Sequence, residues 1–425
     1  MTSPSRQPVR RPARDRRVVV VGAGPAGLMA AIADAAAGAS VTVCEQLDRA
    51  GAKLMATGGG RCNVTRDGPP DAFCAAYGRQ GRFAGPALAA MDAAALRRWL
   101  AGLGVETVVE SGGAVFCADG APAVRAALLR RCAAASVDLR VKTAVRSLRI
   151  ASGAVIAVAT GAGDLPADCV VIAAGGRSYP DLGGTGGGYG LARQAGHDVV
   201  APTPALVGLR TRESWPRRCA GVALPAASLR IGLRGRAARA AAGGVLFTHH
   251  GISGPAVLDL SGDVARLLLD RPDVPLVLSM TDTPPAEWSG RIDGWRTRFG
   301  RKHVRTLLAD AVPRRLADAL CDLAGAAPET RAAELPAEAA RALAAALTAL
   351  TLTVVGTDGF ARAMVTRGGV ALRQVDPRTL GSRLTRGVLL AGEVLDLDGP
   401  CGGYNLQWAF ASGRLAGASA GGAGR

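Results

Sequence analysis

The sequence predicts an α/β fold built on a parallel β-sheet. One sign is an uninterrupted apolar run of four valines at 18–21, typical of a strand buried on both faces. A second is the G-x-G-x-x-G spacing that follows directly, made by Gly22, Gly24 and Gly27. A third is that two later apolar runs, 167–176 and 387–393, reach a glycine where each strand ends. Glycine at that edge of a parallel sheet lets the backbone approach a ligand, as in Rossmann folds.

The glycine spacing lies between two predicted strands, which makes the pattern specific. A helix is predicted over 28–37, Gly38 ends it, and a second strand over 39–44 leads to Glu45. The three glycines allow, in order, a tight turn, close approach to a pyrophosphate, and close helix–strand packing. The helix N-terminus offers free N–H groups to phosphates, and Glu45, 18 residues beyond Gly27, can accept hydrogen bonds from a ribose diol. The sequence therefore predicts a dinucleotide site.

Composition indicates a folded globular protein. The 425 residues are 49% hydrophobic and 20% charged, enough for a large core in two or three domains. The net charge of +17 suggests nucleic acid, but only three of the 51 basic residues are lysines. Dispersed arginines with abundant alanine and glycine fit the coding bias of a GC-rich genome, so we expect no nucleic-acid partner.

Cysteine usage and hydropathy add further expectations. The nine cysteines form no C-x-x-C pair, so neither a metal site nor a disulfide framework is expected, and a reducing cytoplasm fits. No stretch predicts a membrane span. Residues 1–17 are rich in arginine and proline, which predicts a disordered basic tail rather than a signal peptide.

The segment after Glu45 holds a glycine-rich loop and further elements. Residues 51–63 place three glycines between Lys53 and Arg61, which suits a loop covering a phosphate or a flavin edge; a flexible surface loop is the alternative. The elements predicted next are an amphipathic helix over 85–103, a hairpin over 104–118, a helix over 121–135 and a strand over 138–148.

The pattern changes in the second half of the chain. Short strands separated by Gly and Pro over 205–280 predict a small β-domain or barrel, and 284–350 is alanine-rich and mostly helical. The strand at 387–393 ends in Glu393, which can bind a ribityl hydroxyl. A helix is predicted to run from Leu406 to about Gly417 and would aim its N-terminus at whatever lies beside it; for a flavin, that would be the N1–C2=O edge, where reduction places negative charge.

Five segments resemble the signatures of a bacterial NAD(P)/FAD-dependent oxidoreductase family that includes 3-dehydro-bile-acid Δ4,6-reductase and aminoacetone oxidase. They are TGGGRCNVT (57–65), AAGGRSYPDLGGTGGGYGLA (173–192), LFTHHGISGPAVLDLS (246–261), AMVTRGGVALRQVDP (363–377) and GEVLDLDGPCGGYNLQWAFASG (392–413). The resemblance implies a Rossmann-like FAD-binding domain (18–200 and 357–420) split by an inserted β-barrel domain (201–282 and 343–356). The insert would carry a helical subdomain (283–342).

The resemblance also implies the residues that hold FAD. These are Gly22, Gly24, Ala26, Gly27, Glu45, Gln46, Lys53, Arg61, Cys62, Asn63, Val145, Ala174, Gly175, Gly392, Glu393, Gly402, Gly403, Asn405 and Leu406. Two positions depart from the family pattern: Gly187 stands where an acid is usual, and Cys401 where a threonine-like residue is usual. Both departures would lie near the flavin, so the substrate is not carried over from the family.

The proton donor is not assigned by the sequence. Candidates for it are Tyr179, His249 and Tyr404, and Arg177 is a further candidate for a catalytic role. Arg177 could clamp an acidic substrate or pair with a surface acid. His249 could instead hold a turn, and Tyr404 could pack beside the flavin. Cys62 and Cys401 are read as structural thiols because they are not paired in sequence.

Three functions remain open at this stage. The first is a cytoplasmic FAD oxidoreductase that reduces or oxidises a small organic substrate such as a conjugated carbonyl, with NAD(P)H as diffusible donor. A flavin amine oxidase using O₂ is a variant of it. The second is an RNA-associated flavoprotein, and the third is a scaffold in which FAD is structural. No second nucleotide motif follows a strand, so no separate NAD(P)H domain is expected.

Overall fold

The computed structural model describes residues 16–110, 112–233 and 239–422. Most of the predicted basic tail, residues 1–15, lies outside these ranges. The strands are β1 (Arg17–Val21), β2 (Ser40–Cys44), β3 (Asn63–Arg66), β4 (Thr107–Val109), β5 (Ala114–Cys117), β6 (Asp138–Arg140), β7 (Val145–Ala151), β8 (Ala154–Thr160), β9 (Gly163–Pro166), β10 (Cys169–Ile172), β11 (Val199–Ala205), β12 (Leu209–Thr211), β13 (Ala223–Ile231), β14 (Ala240–Phe247), β15 (Gly251–Ser253), β16 (Val274–Ser279), β17 (Leu350–Thr357), β18 (Val365–Val370) and β19 (Val388–Leu390).

The helices connect these strands and cover the sheets. They are α1 (Pro25–Ala36), α2 (Pro70–Ala76), α3 (Gly81–Ala90), α4 (Ala93–Gly102), α5 (Gly120–Ala134), α6 (Gly187–Gln194), α7 (Trp215–Arg218), α8 (Pro255–Leu267), α9 (Pro285–Arg298), α10 (Val304–Leu308), α11 (Arg314–Leu323), α12 (Ala337–Ala349) and α13 (Tyr404–Gly422). Among the described residues, none of the helices combines the length and hydropathy needed to cross a bilayer.

The predicted parallel sheet is confirmed, with β1 at its centre. Its strand order is β19-β10-β1-β2-β6, and every neighbouring pair is parallel. The four valines at 18–21 are at most 6% exposed, as expected for a strand covered on both faces. Because β19 comes from the last tenth of the chain and pairs with β10, the sheet brings the two ends of the chain together.

Helices α1 and α13 pack at close range because the second half of α13 carries three glycines spaced four residues apart, Gly413, Gly417 and Gly421. A Cβ atom built on Gly413 would lie 2.3 Å from Ala26 O, and one on Gly417 would lie 2.3 Å from Ala30 O. Residues four apart share one helix face, so this face brings the two backbones into contact. The last helix is thereby fixed against the helix that follows the glycine loop.

The second half of the chain forms a closed barrel with a helical insertion. The barrel order is β12-β15-β14-β13-β16-β17, and α9 to α12 lie between β16 and β17 in sequence. These helices share one apolar core with the barrel, in which Leu276 of β16, Leu320 of α11 and Leu343 of α12 are fully buried. The predicted fold class, a Rossmann-like domain interrupted by a barrel with helices, is confirmed.

Three local predictions are corrected by the structure. The helix predicted over 85–103 is two helices, because Asp92 caps a new one: its Oδ1 accepts a hydrogen bond from Ala95 N (2.6 Å). The strand predicted over 138–148 is two strands in different sheets, β6 and β7, separated by a turn in which Lys142 has φ 52°. The predicted all-strand region 205–280 contains the 13-residue helix α8.

Candidate functional site

The glycine loop between β1 and α1 has the geometry that its spacing predicts. Gly22 has φ 98°, and a Cβ atom on Gly27 would lie 1.9 Å from Gly22 O, so only glycine lets α1 approach β1 this closely. A Cβ atom on Gly24 would meet nothing within 4 Å. Gly22 and Gly27 therefore serve packing, whereas Gly24 leaves open space at the N-terminus of α1.

Glu45 lies at the end of β2 and joins this loop through its carboxylate. Oε2 accepts a hydrogen bond from Ala23 N (2.8 Å), and Oε1 accepts one from Leu47 N (2.9 Å). The side chain is buried, with 8% exposure. The acid thus lies directly beside the glycine loop, where it can reach a ribose bound next to the diphosphate position.

One cavity runs from this loop to the C-terminal segment. Twelve of the nineteen residues predicted to hold FAD line it: Gly22, Gly24, Ala26, Glu45, Gln46, Lys53, Val145, Ala174, Gly175, Glu393, Asn405 and Leu406. Residues 143–145 border it near Glu45, whose carbonyl oxygen accepts a hydrogen bond from Thr143 N (2.7 Å). The glycine loop and the start of α13 thus open into the same space.

Three helix N-termini border the cavity. Ala26 of α1, Gly188 of α6 and Asn405 of α13 belong to the first two turns of their helices, and all line it. Each helix N-terminus carries free N–H groups and about half a positive charge. The cavity is therefore suited to a long molecule with negative charge at more than one point.

A polar cluster on the cavity wall joins four distant segments of the chain. Lys53 Nζ donates to Glu393 Oε2 (2.6 Å) and to the hydroxyl of Ser178. Glu393 Oε1 accepts hydrogen bonds from Ser178 Oγ (3.0 Å) and from Thr366 N (2.7 Å). Ser178 and Thr366 are fully buried. Lys53 and Glu393 were predicted to lie at the site. Ser178 and Thr366 were not, although both lie in segments that resemble the family signatures.

Residues 182–185, 187 and 188 also line the cavity, and of these only Gly187 was expected near the flavin. Gln46 Nε2 donates to Gly183 O (2.9 Å), which ties the end of β2 to this loop. The loop leads into α6 at Gly187, one of the two positions at which the sequence departs from the family pattern. Its run of glycines was the available signal, because such a run allows backbone to lie against a ligand.

Seven predicted residues do not line the cavity, and most of them support its walls. Gly27 and Gly392 pack against neighbouring backbone or side chains behind it. Arg61 forms an ion pair with Glu110 and lies over the Phe116 ring (4.1 Å from Cζ to the ring centre). Asn63, Gly402 and Gly403 lie where the N-terminal and C-terminal motifs meet. Cys62 is buried behind them, where its amide donates to Thr57 O (3.0 Å) and its carbonyl oxygen accepts from Cys117 N (3.3 Å).

That meeting point is tight. A Cβ atom on Gly403 would lie 2.1 Å from Thr65 O. With the side-chain amide of Asn63 oriented to match its hydrogen-bond partners, Gly403 N donates to the Asn63 side-chain oxygen (3.2 Å). Thr65 Oγ1 donates to Gln407 Oε1 (2.7 Å). These contacts hold the start of α13 against β3, so they fix the position from which Asn405 and Leu406 face the cavity.

The four candidate catalytic residues are not among the residues lining the cavity. The guanidinium of Arg177 lies over the Phe360 ring (4.6 Å from Cζ to the ring centre). Tyr179 has φ 52° and its amide donates to Phe360 O (3.0 Å).

The other two candidates lie elsewhere. His249 is exposed in the turn between β14 and β15, which is held instead by the Thr248 hydroxyl accepting from Gly251 N (3.1 Å). Tyr404 packs its ring edge-on against Phe73, with 5.2 Å between ring centres. Neither side chain lines the cavity.

Comparison with known proteins identifies relatives along nearly the whole chain. The family described as "HI0933-like protein Rossmann domain" matches residues 16–419. The 3-dehydro-bile acid delta(4,6)-reductase of Clostridium scindens is 33% identical over 410 residues, covering 95% of this chain and 98% of that protein. The ribosomal RNA dihydrouridine synthase of Escherichia coli is 30% identical over 403 residues, covering 93% and 95%.

Solved structures share the fold at low sequence identity. The 3-ketosteroid delta1-dehydrogenase of Sterolibacterium denitrificans has a TM-score of 0.52 at 15% identity, covering 96% of this chain and 99% of that one. Quinol fumarate reductase of E. coli has a TM-score of 0.52 at 16% identity, covering 96% and 71%. The family match spans both halves of the Rossmann-like domain and the barrel between them. The chain belongs to the HI0933-like family and is an FAD-dependent oxidoreductase.

Proposed function

We propose that this protein reduces a carbon–carbon double bond conjugated to a carbonyl group, in the cytoplasm, with FAD in the cavity and NAD(P)H as donor. The observation that carries the proposal is a cavity that joins the glycine loop to the start of α13 and is bordered by three helix N-termini. A dinucleotide with a charged diphosphate and a ring that gains charge on reduction fits this arrangement.

The cavity residues fit the parts of FAD. The open space at Gly24 and the N-terminus of α1 suit the diphosphate, and Glu45 suits the adenosine ribose. Val145 would hold the adenine, and Glu393 a ribityl hydroxyl. The remaining direct contacts proposed are made by Gly22, Ala26, Gln46, Lys53, Ala174, Gly175, Asn405 and Leu406. Residues behind the wall, such as Asn63 and Gly403, would position these groups without touching FAD.

The reaction class follows from what the two relatives have in common. FAD supplies hydride exchange at its N5 atom when bound. A 3-dehydro bile acid unsaturated at position 4 contains a double bond conjugated to a ketone. Uridine contains a double bond conjugated to its C4 carbonyl, and dihydrouridine lacks it. The names of both relatives therefore imply two-electron reduction of a conjugated double bond, which we extend to this chain.

A uridine in RNA is a second candidate substrate. The observation that favours it is the E. coli relative, together with the net charge of +17. The absence of a nucleic-acid partner, expected from the sequence, stays a prediction. Phosphate contacts make RNA affinity fall steeply with salt. Binding of a uridine-rich RNA that weakens between 50 and 200 mM salt would support this substrate, and no binding at 50 mM salt would contradict it.

The proposal is tested on the purified holoenzyme. The protein should carry FAD, lose its 450 nm absorbance in stopped flow with NADH or NADPH, and regain it anaerobically on adding a 3-oxo-4-ene steroid or 2-cyclohexen-1-one. A colourless folded protein that ignores added FAD would contradict the cofactor assignment. Bleaching by an amine with release of peroxide, and none by NAD(P)H, would replace the reductase by an amine oxidase.

A further inference from the structure

We propose that Lys53, held by Ser178 and Glu393, is a fixed cation that stabilises the negative charge formed on the flavin ring during reduction. This inference rests on the proposed binding of FAD in the cavity, but not on the substrate or the donor. It assigns an electrostatic role to Lys53 and a positioning role to Ser178.

Lys53 is distinguished first by its charge. Among the described residues that line the cavity, it has the only positively charged side chain, and the carboxylates there are Glu45 and Glu393. The chain contains just three lysines, and the other two, Lys142 and Lys302, do not line the cavity. Although the chain is rich in arginine, no arginine is among the described residues that line the cavity, and Lys53 provides the positive charge there.

The ammonium group is held in place on more than one side. Lys53 Nζ lies 2.6 Å from Glu393 Oε2 and within hydrogen-bond distance of Ser178 Oγ. Ser178 is itself fully buried and donates to Glu393 Oε1 (3.0 Å), and its amide donates to Thr366 Oγ1 (3.1 Å). A lysine side chain ordinarily samples many rotamers, so this set of partners keeps its charge at one point of the wall.

The position of the cluster along the cavity points to the ring rather than to the adenine. Glu393 follows Gly392, whose carbonyl oxygen accepts a hydrogen bond from Trp408 Nε1 of α13 (3.1 Å). This bond places the cluster beside the start of α13, where Asn405 and Leu406 face the cavity. The residues proposed to hold the adenine, by contrast, are grouped around Val145 and the end of β2.

The physical consequence concerns the electron balance of the flavin. When the ring takes up two electrons and one proton at N5, one negative charge remains on its N1–C2=O region. A cation fixed in a partly dry wall attracts this charge more strongly than it would in water. Glu393 offsets part of the effect, because its carboxylate lies beside the ammonium. We therefore expect Lys53 to change the reduction equilibrium by about tenfold, which is about 30 mV for a two-electron couple.

The test uses the FAD-loaded enzyme and needs no substrate. The midpoint potential is measured by slow anaerobic reduction with xanthine and xanthine oxidase against a reference dye. Sulfite affinity, followed at 450 nm, is the second readout, because sulfite adds to N5 and leaves negative charge on the same region of the ring. The variants are Lys53→Met, Lys53→Arg and Ser178→Ala. Lys302→Met removes an exposed lysine and is the matched control.

The proposal expects Lys53→Met to lower the potential by about 30 mV and to raise the sulfite Kd about tenfold. Lys53→Arg keeps the charge and should stay within threefold of the wild type. Ser178→Ala should lie between, and Lys302→Met should be unchanged. A Lys53→Met protein would overturn the inference if it binds FAD and if its reduction equilibrium constant and its sulfite Kd both lie within twofold of the wild-type values. If Lys53→Met does not retain FAD, an unchanged potential in Ser178→Ala would overturn it equally. A wild-type protein without FAD would instead overturn the proposed function.

Discussion

Replacing Gly27 with alanine, beside a matched replacement of Gly24, separates the two tasks of the glycine loop. A Cβ atom on Gly27 would lie 1.9 Å from Gly22 O, and side-chain carbons essentially never lie within 3.0 Å of such an atom. Helix α1 or the loop must therefore move by at least about 1 Å. Because α1 is packed against β1 on one side and α13 on the other, it has little freedom to move.

The expected cost of Gly27→Ala follows from this clash. Overpacking of a well-packed site costs about 1–3 kcal/mol, and displacing α1 also moves its N-terminus away from the proposed diphosphate position. Gly24→Ala should behave differently, because its methyl group meets no protein atom within 4 Å. We expect it to leave the stability of the FAD-free protein within about 1 kcal/mol of the wild type, yet to weaken FAD binding at least tenfold.

Two measurements distinguish the effect of each substitution on stability from its effect on FAD binding. Urea unfolding of the FAD-free proteins gives their stabilities, and titration of flavin fluorescence gives their FAD affinities. The reasoning would be refuted if Gly27→Ala had the stability of the wild type, or if Gly24→Ala destabilised the FAD-free protein as much as Gly27→Ala. A Gly24→Ala protein with unchanged FAD affinity would show that the diphosphate does not lie at this loop.

Two further predictions concern α13 and its contact with α1. Gly417→Ala should lower the thermal unfolding temperature, since its methyl group would lie 2.3 Å from Ala30 O. Gly290→Ala, inside α9 with nothing within 4 Å, should keep or slightly raise it, and equal temperatures for both would contradict this packing. Asp34 in α1 is fully buried without a hydrogen-bond partner among the described residues, and burial raises its pKa to about 8. The unfolded chain releases this proton near pH 4, so the free energy of unfolding should fall as pH rises from about 4 to about 8. Relative to the wild type, Asp34→Asn should therefore raise the unfolding temperature by several degrees at pH 9 but little at pH 5. A difference independent of pH would contradict the assignment.

The sequence by itself determined those parts of the site whose residues are neighbours in the chain. The unit from β1 through the glycines and α1 to Glu45 was predicted in the right order, although α1 begins at Pro25, three residues before the predicted start. Its signal is local, because the strand, the turn and the helix follow one another and each needs particular residue types in order. The barrel could likewise be predicted as a β-region, since short strands between Gly and Pro are a local pattern.

The tertiary structure alone decided which distant residues meet. Lys53 and Glu393 are 340 positions apart, and nothing in the residue types of Ser178 or Thr366 predicted that both would join the pair. Conversely, motif membership suggested His249 for chemistry, yet the fold leaves it on an exposed turn. The physical reason is that long-range contacts depend on how helices and strands pack against one another. A pattern of residue types predicts which face of an element is buried, but it does not predict which other element covers that face.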